Sequence, residues 1–368
     1  MPVLPFRPLA YSTLADLIHH VRNDLSLQQL VRVIAVYACI SHDSTFPFSI
    51  QTMCSKLTQA CIESICNKGD KAEAISILQG VLLTTVEKLK ATYKAFDRMK
   101  QASIQDKGKS KPMEEEQIGR QGFDAYDWRS IERAMPVLTV AYASDSLDTF
   151  VRGEQCLSTA TISVAAYSNL FLSSDAKAIL RSLFNTFRSL FNNMRVIDAP
   201  SPQGDILGDL FRYGVLSLQI YEGGRDTREE KDAIEQLGMV LICFEPHVYS
   251  EVWTSNLSFY CKQLLDGPNI ITLLQNMLVN NEVSHQTVGI LLKHLMNNLE
   301  SVGTQSKIEG ALTLKLFKLS FMAVNQFIEL NEPVLVPYLS KLIIDSFAYA
   351  AKAEDPAIYY QVLRALFR

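Results

Sequence analysis

Glycine is scarce in this chain, 16 of 368 residues, and the turn-flanked alternation of apolar and polar residues that marks β-strands is nearly missing. Those two shortages argue against sandwiches, barrels and parallel sheets. No apolar run approaches the roughly 20 residues needed to span a bilayer. The opening Met1-Pro-Val-Leu-Pro-Phe-Arg-Pro8 has no apolar stretch behind a basic start, so it does not read as a secretory signal. Formal net charge is only -4, with no strongly basic domain to suggest direct nucleic-acid binding or a membrane surface. Seven cysteines, an odd number, lie in apolar helical contexts and read as reduced thiols rather than a disulfide framework.

Catalytic signatures are missing too. No Gly-x4-Gly-Lys-Ser/Thr loop or Gly-x-Gly-x-x-Gly string occurs, and the lysine, aspartates and asparagine of a protein kinase do not appear in recognisable order. No Gly-x-Ser-x-Gly elbow accompanies His42, His247, His285 and His294. Cys54, Cys61 and Cys66 are close in sequence, and Cys54 and Cys61 share one helical face. Zinc ligands usually pair across a tight turn at closer spacing, so these read as core thiols. His19 and His20 diverge by about 100° on their helix, which disfavours a shared ion. The expectation is therefore no enzyme, cofactor, metal or small-molecule substrate.

What the chain does have is helical periodicity. Hydrophobic residues make up 48% and charged residues 20%, so it can bury enough apolar surface to fold. Its length exceeds the roughly 250 to 300 residues at which one core stops growing, which predicts several sub-cores or a stacked array. Ser12-Thr13 is expected to cap a first helix that buries Leu14, Leu17, Ile18 and Val21. Ser26 opens a second, with Leu27, Leu30, Val31, Ile34, Val36 and Tyr37 inward. A third runs from about Ser49 to Cys66; Gly69 stops it, and Asp70 caps a long helix extending to about Ser103. Two helices per 40 to 47 residues is the HEAT or armadillo period, so the predicted fold is an all-α, HEAT-like solenoid, a fragment of a longer array. Residues 1–104 are expected to hold helical pairs, 105–127 a charged disordered linker rather than a nuclear import signal, and 128–368 further HEAT-like repeats. Val336-Pro337 is expected to begin or kink a helix.

One pattern suggests a surface. Between about Asp175 and Ile197, Leu180, Phe184, Phe187, Phe191 and Met194 form an apolar seam. Arg181, Arg188 and Arg195 recur every seven residues about 100° around from it, with Lys177 near the same line. These four are the candidate docking residues for an acidic amphipathic peptide, because guanidiniums beside aromatic surface suit carboxylate-plus-hydrophobe ligands. The alternative is that their aliphatic stems cover the edge of the seam while the charges stay solvated.

Several strings resemble a known family. They are Arg7-Pro-Leu-Ala-Tyr-Ser-Thr-Leu-Ala-Asp-Leu-Ile-His-His-Val-Arg22, Ser49-Ile-Gln-Thr-Met53, Phe244-Glu-Pro-His-Val-Tyr-Ser-Glu-Val-Trp253, Leu314-Lys-Leu-Phe-Lys-Leu319 and Leu363-Arg-Ala-Leu-Phe-Arg368. Together they are similar to the N-terminal helical-repeat region of the TRRAP (transformation/transcription domain-associated) family. The likeness is dense over about 7 to 66 and 228 to 368, and thin between 67 and 205. It implies a piece of a pseudokinase scaffold of the phosphatidylinositol-3-kinase-related architecture, nuclear, non-enzymatic, and part of histone acetyltransferase complexes of the SAGA and nucleosomal classes. The implied partners are transcription activators and complex subunits, and the implied roles are transcription control and DNA repair. A generic HEAT adaptor for transport or a phosphatase, and the regulatory solenoid of an active kinase of the same wider family, are the competing readings. Leu363, Leu366 and Phe367 are expected to form an exposed apolar face that favours partner capture or aggregation.

Overall fold

The computed structural model describes residues 7–43, 46–68, 70–107, 173–221, 227–353 and 355–367. Every regular element among them is helical: thirteen α-helices and three short 3-10 turns. The linker expected over 105–127 lies outside the described residues beyond Lys107, as does the helical periodicity expected from Trp128 to Leu172. The chain forms two compact units, residues 1–202 and 203–368.

The first unit contains α1 (Arg7–Val21), α2 (Leu27–His42), α3 (Phe48–Lys68), α4 (Lys71–Lys107) and α5 (Ser173–Val196). Ser26 caps α2 through a full capping box, its hydroxyl accepting from the Gln29 amide while the Gln29 side chain accepts from the Ser26 amide. Contacts alternate: α1 packs on α3 and α3 on α5, while α2 packs on α4. Adjacent helices close the gaps between the two rows. The first helix departs from expectation. It begins at Arg7, so Ser12 and Thr13 lie inside it, and Thr13 donates back to the Leu9 carbonyl instead of capping. Its buried line is Ala15 and Ile18, whereas Leu14 and Leu17 are 41% and 57% exposed. Apolar character alone does not say which of two apolar faces a helix will bury.

The second unit contains α6 (Gly204–Ser217), α7 (Thr227–Ile242), α8 (Pro246–Asp266), α9 (Ile271–Leu278), α10 (Ser284–Asn297), α11 (Lys307–Gln326), α12 (Ile328–Ala350) and α13 (Ala357–Leu366). Here the repeat is plain. The even-numbered helices begin roughly 40 residues apart and pack in series, α6 on α8, α8 on α10 and α10 on α12. The odd-numbered helices make a second series, with α7 on α9, α9 lightly on α11, and α11 on α13. Trp253 on α8 sits at the centre of an aromatic cluster with Phe211, Tyr260 and Tyr249, at centroid distances of 4.8, 5.4 and 6.1 Å.

Buried and part-buried hydrogen bonds recur at about the same period. Arg212 donates to the Asn256 side chain at 2.5 Å and Gln219 to Gln263 at 3.0 Å, each pair 44 residues apart across α6 and its neighbouring turn against α8. The Tyr249 hydroxyl meets the Thr287 hydroxyl at 2.7 Å. Asn331, fully buried, donates to the Ser284 hydroxyl at 2.9 Å and to the Ala323 carbonyl at 2.8 Å, joining α10, α11 and α12.

Pro333 and Pro337 both lie inside α12, so the helix neither begins nor ends at Val336-Pro337. At the far end of the unit Leu363 is buried and Leu366 half-buried, leaving Phe367 at 73% exposure. The three do not form a common exposed face, because α13 turns Leu363 toward the core of its own unit.

Asn331→Ala should lower the unfolding free energy of the second unit by about 2 kcal/mol, and Asn331→Leu should not restore it, because the loss is of paired buried polar groups and not of volume. Urea titration of the chain followed by far-UV circular dichroism measures both variants.

Candidate functional site

The apolar seam of α5 is core. Leu180, Phe184, Phe187, Phe191 and Met194 are each at most 5% exposed, packed where α5 lies on α3 and α4. The aromatic surface expected to lie open beside the guanidiniums is therefore enclosed within the unit. The arginines themselves are where periodicity puts them. Arg181, Arg188 and Arg195 are exposed and Lys177 is half-buried. At about 1.5 Å per residue, successive arginines stand roughly 10.5 Å apart along the helix. The adjoining line of Ala178, Asn185 and Asn192 carries no charge. No described carboxylate reaches ion-pair distance of any of the three arginines.

A Schellman motif stops α5 just past Arg195. The Ala199 amide donates to the Met194 carbonyl at 2.8 Å and the Asp198 amide to the Arg195 carbonyl at 3.1 Å. Asp198 takes the left-handed conformation this requires, φ 54°, which aspartate tolerates better than most residues. The basic line thus ends on a fixed turn. On the other side of α5, a polar groove of about 730 Å³ runs along α3, lined by Arg22, Lys56, Glu63, Asn67, Ser189 and Asn193 among others. Its charges are of both signs.

Sequence reasoning did not single out the most unusual group in the first unit. Lys88 on α4 is buried, and its Nζ donates to Gln51 Oε1 at 2.5 Å. Burial pushes its ammonium down to about 8, against the pull of nearby Asp43. His42, buried close by, has Nε2 3.2 Å from the Thr84 carbonyl. Burial and then the Lys88 charge push it down to about 3, so at neutral pH it is uncharged. A signal was available in retrospect: Thr84, Thr85, Lys88 and Thr92 interrupt the buried face of α4, where Val81, Leu82, Val86 and Leu89 are otherwise apolar.

Two of the three thiols read as core are core, while Cys66 is half-buried. Cys54 and Cys61 are both fully buried on one face of α3, and burial lifts them to about 12 and about 11. His19 and His20 are exposed, their rings edge to face at 5.8 Å. Among the described residues no group of three or more His, Cys, Asp or Glu side chains gathers as a metal site, and no described helix is long and apolar enough to cross a membrane.

The buried pair sets a pH dependence. Lys88 in the unfolded chain keeps its proton to about 10.5, while in the folded chain it loses it near 8. Between those values the unfolded state holds more protons, so stability rises with pH, and below pH 8 the full burial cost, roughly 3 kcal/mol, is present. His42 acts at the acid end: its folded pKa lies below its ordinary 6.5, so stability falls as pH drops from 6.5 toward 3. The deficit in urea unfolding midpoint of the wild type relative to Lys88→Met should shrink as pH rises from 8 to 10.5, the ionisation of the buried thiols being common to both proteins.

The chain matches, over residues 4–368, the family model described as the Tra1 HEAT repeat central region. It is 22% identical to the SAGA complex/NuA4 acetyltransferase complex subunit TRA1 of Saccharomyces cerevisiae, across 98% of this chain and 12% of that protein. With the SAGA complex/NuA4 acetyltransferase complex subunit Tra1 of Schizosaccharomyces pombe the identity is 26%, across 98% of this chain and 10% of the relative. With the Homo sapiens transformation/transcription domain-associated protein it is 25%, again across 98% and 10%. The chain spans about a tenth of the length of these relatives. The matched region is the central one, which corrects the N-terminal placement suggested by the quoted strings.

Proposed function

The chain belongs to the family of the Tra1 HEAT repeat central region, and from that premise we propose that it is a non-catalytic scaffold segment of a histone acetyltransferase complex, acting in the nucleus in transcription. The observation that carries this reading is the match over residues 4–368, together with two relatives named as SAGA and NuA4 subunits. The physical basis is the alternating stack of helices among the described residues, which leaves long exposed helical faces. On this reading transcription activators and other subunits of the complex dock along those faces, for transcription regulation and DNA repair. A generic transport or phosphatase adaptor fits the helical repeat but not the family. Affinity purification of the endogenous product followed by mass spectrometry should recover acetyltransferase-complex subunits; transport or phosphatase partners in their place would overturn the assignment.

Within this reading, the line of exposed Arg181, Arg188 and Arg195 with half-buried Lys177 is the docking surface for acidic segments. With the seam enclosed, attraction is by charge along the solvent face of α5, three guanidiniums spanning roughly 21 Å. Exposed charges are screened by salt, so such binding weakens steeply as ionic strength rises. Arg188→Glu should weaken binding of a fluorescein-labelled acidic amphipathic peptide at least threefold at low salt. Unchanged anisotropy titrations would remove the docking role from this helix.

A further inference from the structure

Lys88 carries more protons than the surrounding protein accepts. A charged ammonium has three donors, and among the described residues Gln51 Oε1 is the hydrogen-bond acceptor it reaches, at 2.5 Å. Leaving buried ionic donors unmatched is costly, and such groups in native cores are matched by protein or by ordered water. Beside Lys88 lies a small cavity of about 20 Å³, bounded by residues of α2, α3, α4 and α5. One water molecule needs roughly 10 to 15 Å³ of such space, and two to four polar partners.

The lining decides what kind of ligand fits. Six hydroxyl side chains face the cavity: Ser41, Ser55, Thr58, Thr84, Thr85 and Thr186. Each directs its proton to a carbonyl of its own helix, at 2.8, 3.4, 3.0, 2.9, 2.6 and 2.9 Å respectively. What they turn toward a ligand is therefore oxygen lone pairs. An anion would meet those lone pairs and be repelled, with only Lys88 to hold it. A water molecule accepts from Lys88 and donates to hydroxyl oxygens, so it satisfies both kinds of group at once.

We propose that this cavity holds one ordered water molecule, which accepts a hydrogen bond from the Lys88 ammonium and donates to hydroxyl oxygens lining the space between α3, α4 and α5. The water acts as a shared pin. It is bonded to a charge on α4 and to hydroxyls on its neighbours, and a sliding of one helix past another by a turn would leave the ammonium with Gln51 alone. The role is one of register between stacked helices, and it needs no partner from outside the first unit.

A crystal structure of the chain at better than about 1.8 Å should show a solvent peak within hydrogen-bond distance of Lys88 Nζ and of at least one of the hydroxyl oxygens. Absence of density there, or an anomalous peak after a bromide soak, which would mean an anion, overturns the proposal. In solution, oxygen-17 relaxation dispersion of water should count one more long-lived internal water in the wild type than in Lys88→Met. Should that variant fail to fold, Thr186→Val, which removes a lining hydroxyl at nearly constant volume, should shorten the residence time of that water at least tenfold. Equal water counts and equal residence times would exclude it.

Discussion

A pair of helices some 40 residues long cannot enclose a core by itself; its apolar face must find another pair. Everything in this molecule follows from that requirement. Helix α8 buries Trp253, Tyr249 and Tyr260 because α6 lies on one side and α10 on the other. Helix α3 buries Cys54, Cys61, Ile62 and Ile65 because α1 and α5 flank it. Helices α3 and α8 to α11 are thus each sandwiched between those two places before and after in the chain, and stability accrues from interfaces between neighbours.

Apolar packing alone tolerates slippage, since one Leu serves nearly as well as the next. Specific polar contacts between helices, buried or part-buried, remove that freedom. Arg212 with Asn256 and Gln219 with Gln263 repeat one offset along the α6 and α8 interface. Tyr359 on α13 donates to the Glu300 carbonyl and accepts from the Gly303 amide, fixing the 3-10 turn Glu300–Thr304 beside it. Asn331 does the same for three helices at once. In the first unit Lys88 with Gln51 holds that place, at a higher electrostatic cost.

Helix existence was legible in the sequence because it depends on local period and caps. Ser26 opens α2 as its sequence predicts, Leu30, Val31, Ile34 and Tyr37 go inside while Leu27 and Val36 are half-buried, and the apolar seam of α5 is core. Which face of a helix is covered depends on a neighbour far along the chain, and there the reading failed: Leu14 and Leu17 stayed exposed while Ala15 went inside. The arginine line was readable for the same local reason, but the fate of the seam beside it was decided by α3 and α4. Lys88 was passed over, because a lysine within a hydroxyl-rich turn looks like a solvated face until α2, α3 and α5 close over it. Family membership came from ordered strings of residues that no single helix wheel would rank as important.

The two prolines of α12 have a mechanical meaning. Each lacks an amide proton, so the carbonyls of Glu329 and Pro333 have no donor four residues on, and two rungs are gone from one side of a single helix. The missing rungs are four residues apart and therefore lie nearly in line, on a stretch whose prolines face solvent. Bending concentrates where the ladder is broken. This stretch is the compliant part of α12: a load along the helix would be taken up as curvature between Glu329 and Pro337, while Asn331, held to Ser284 and Ala323, marks the pivot about which it bends.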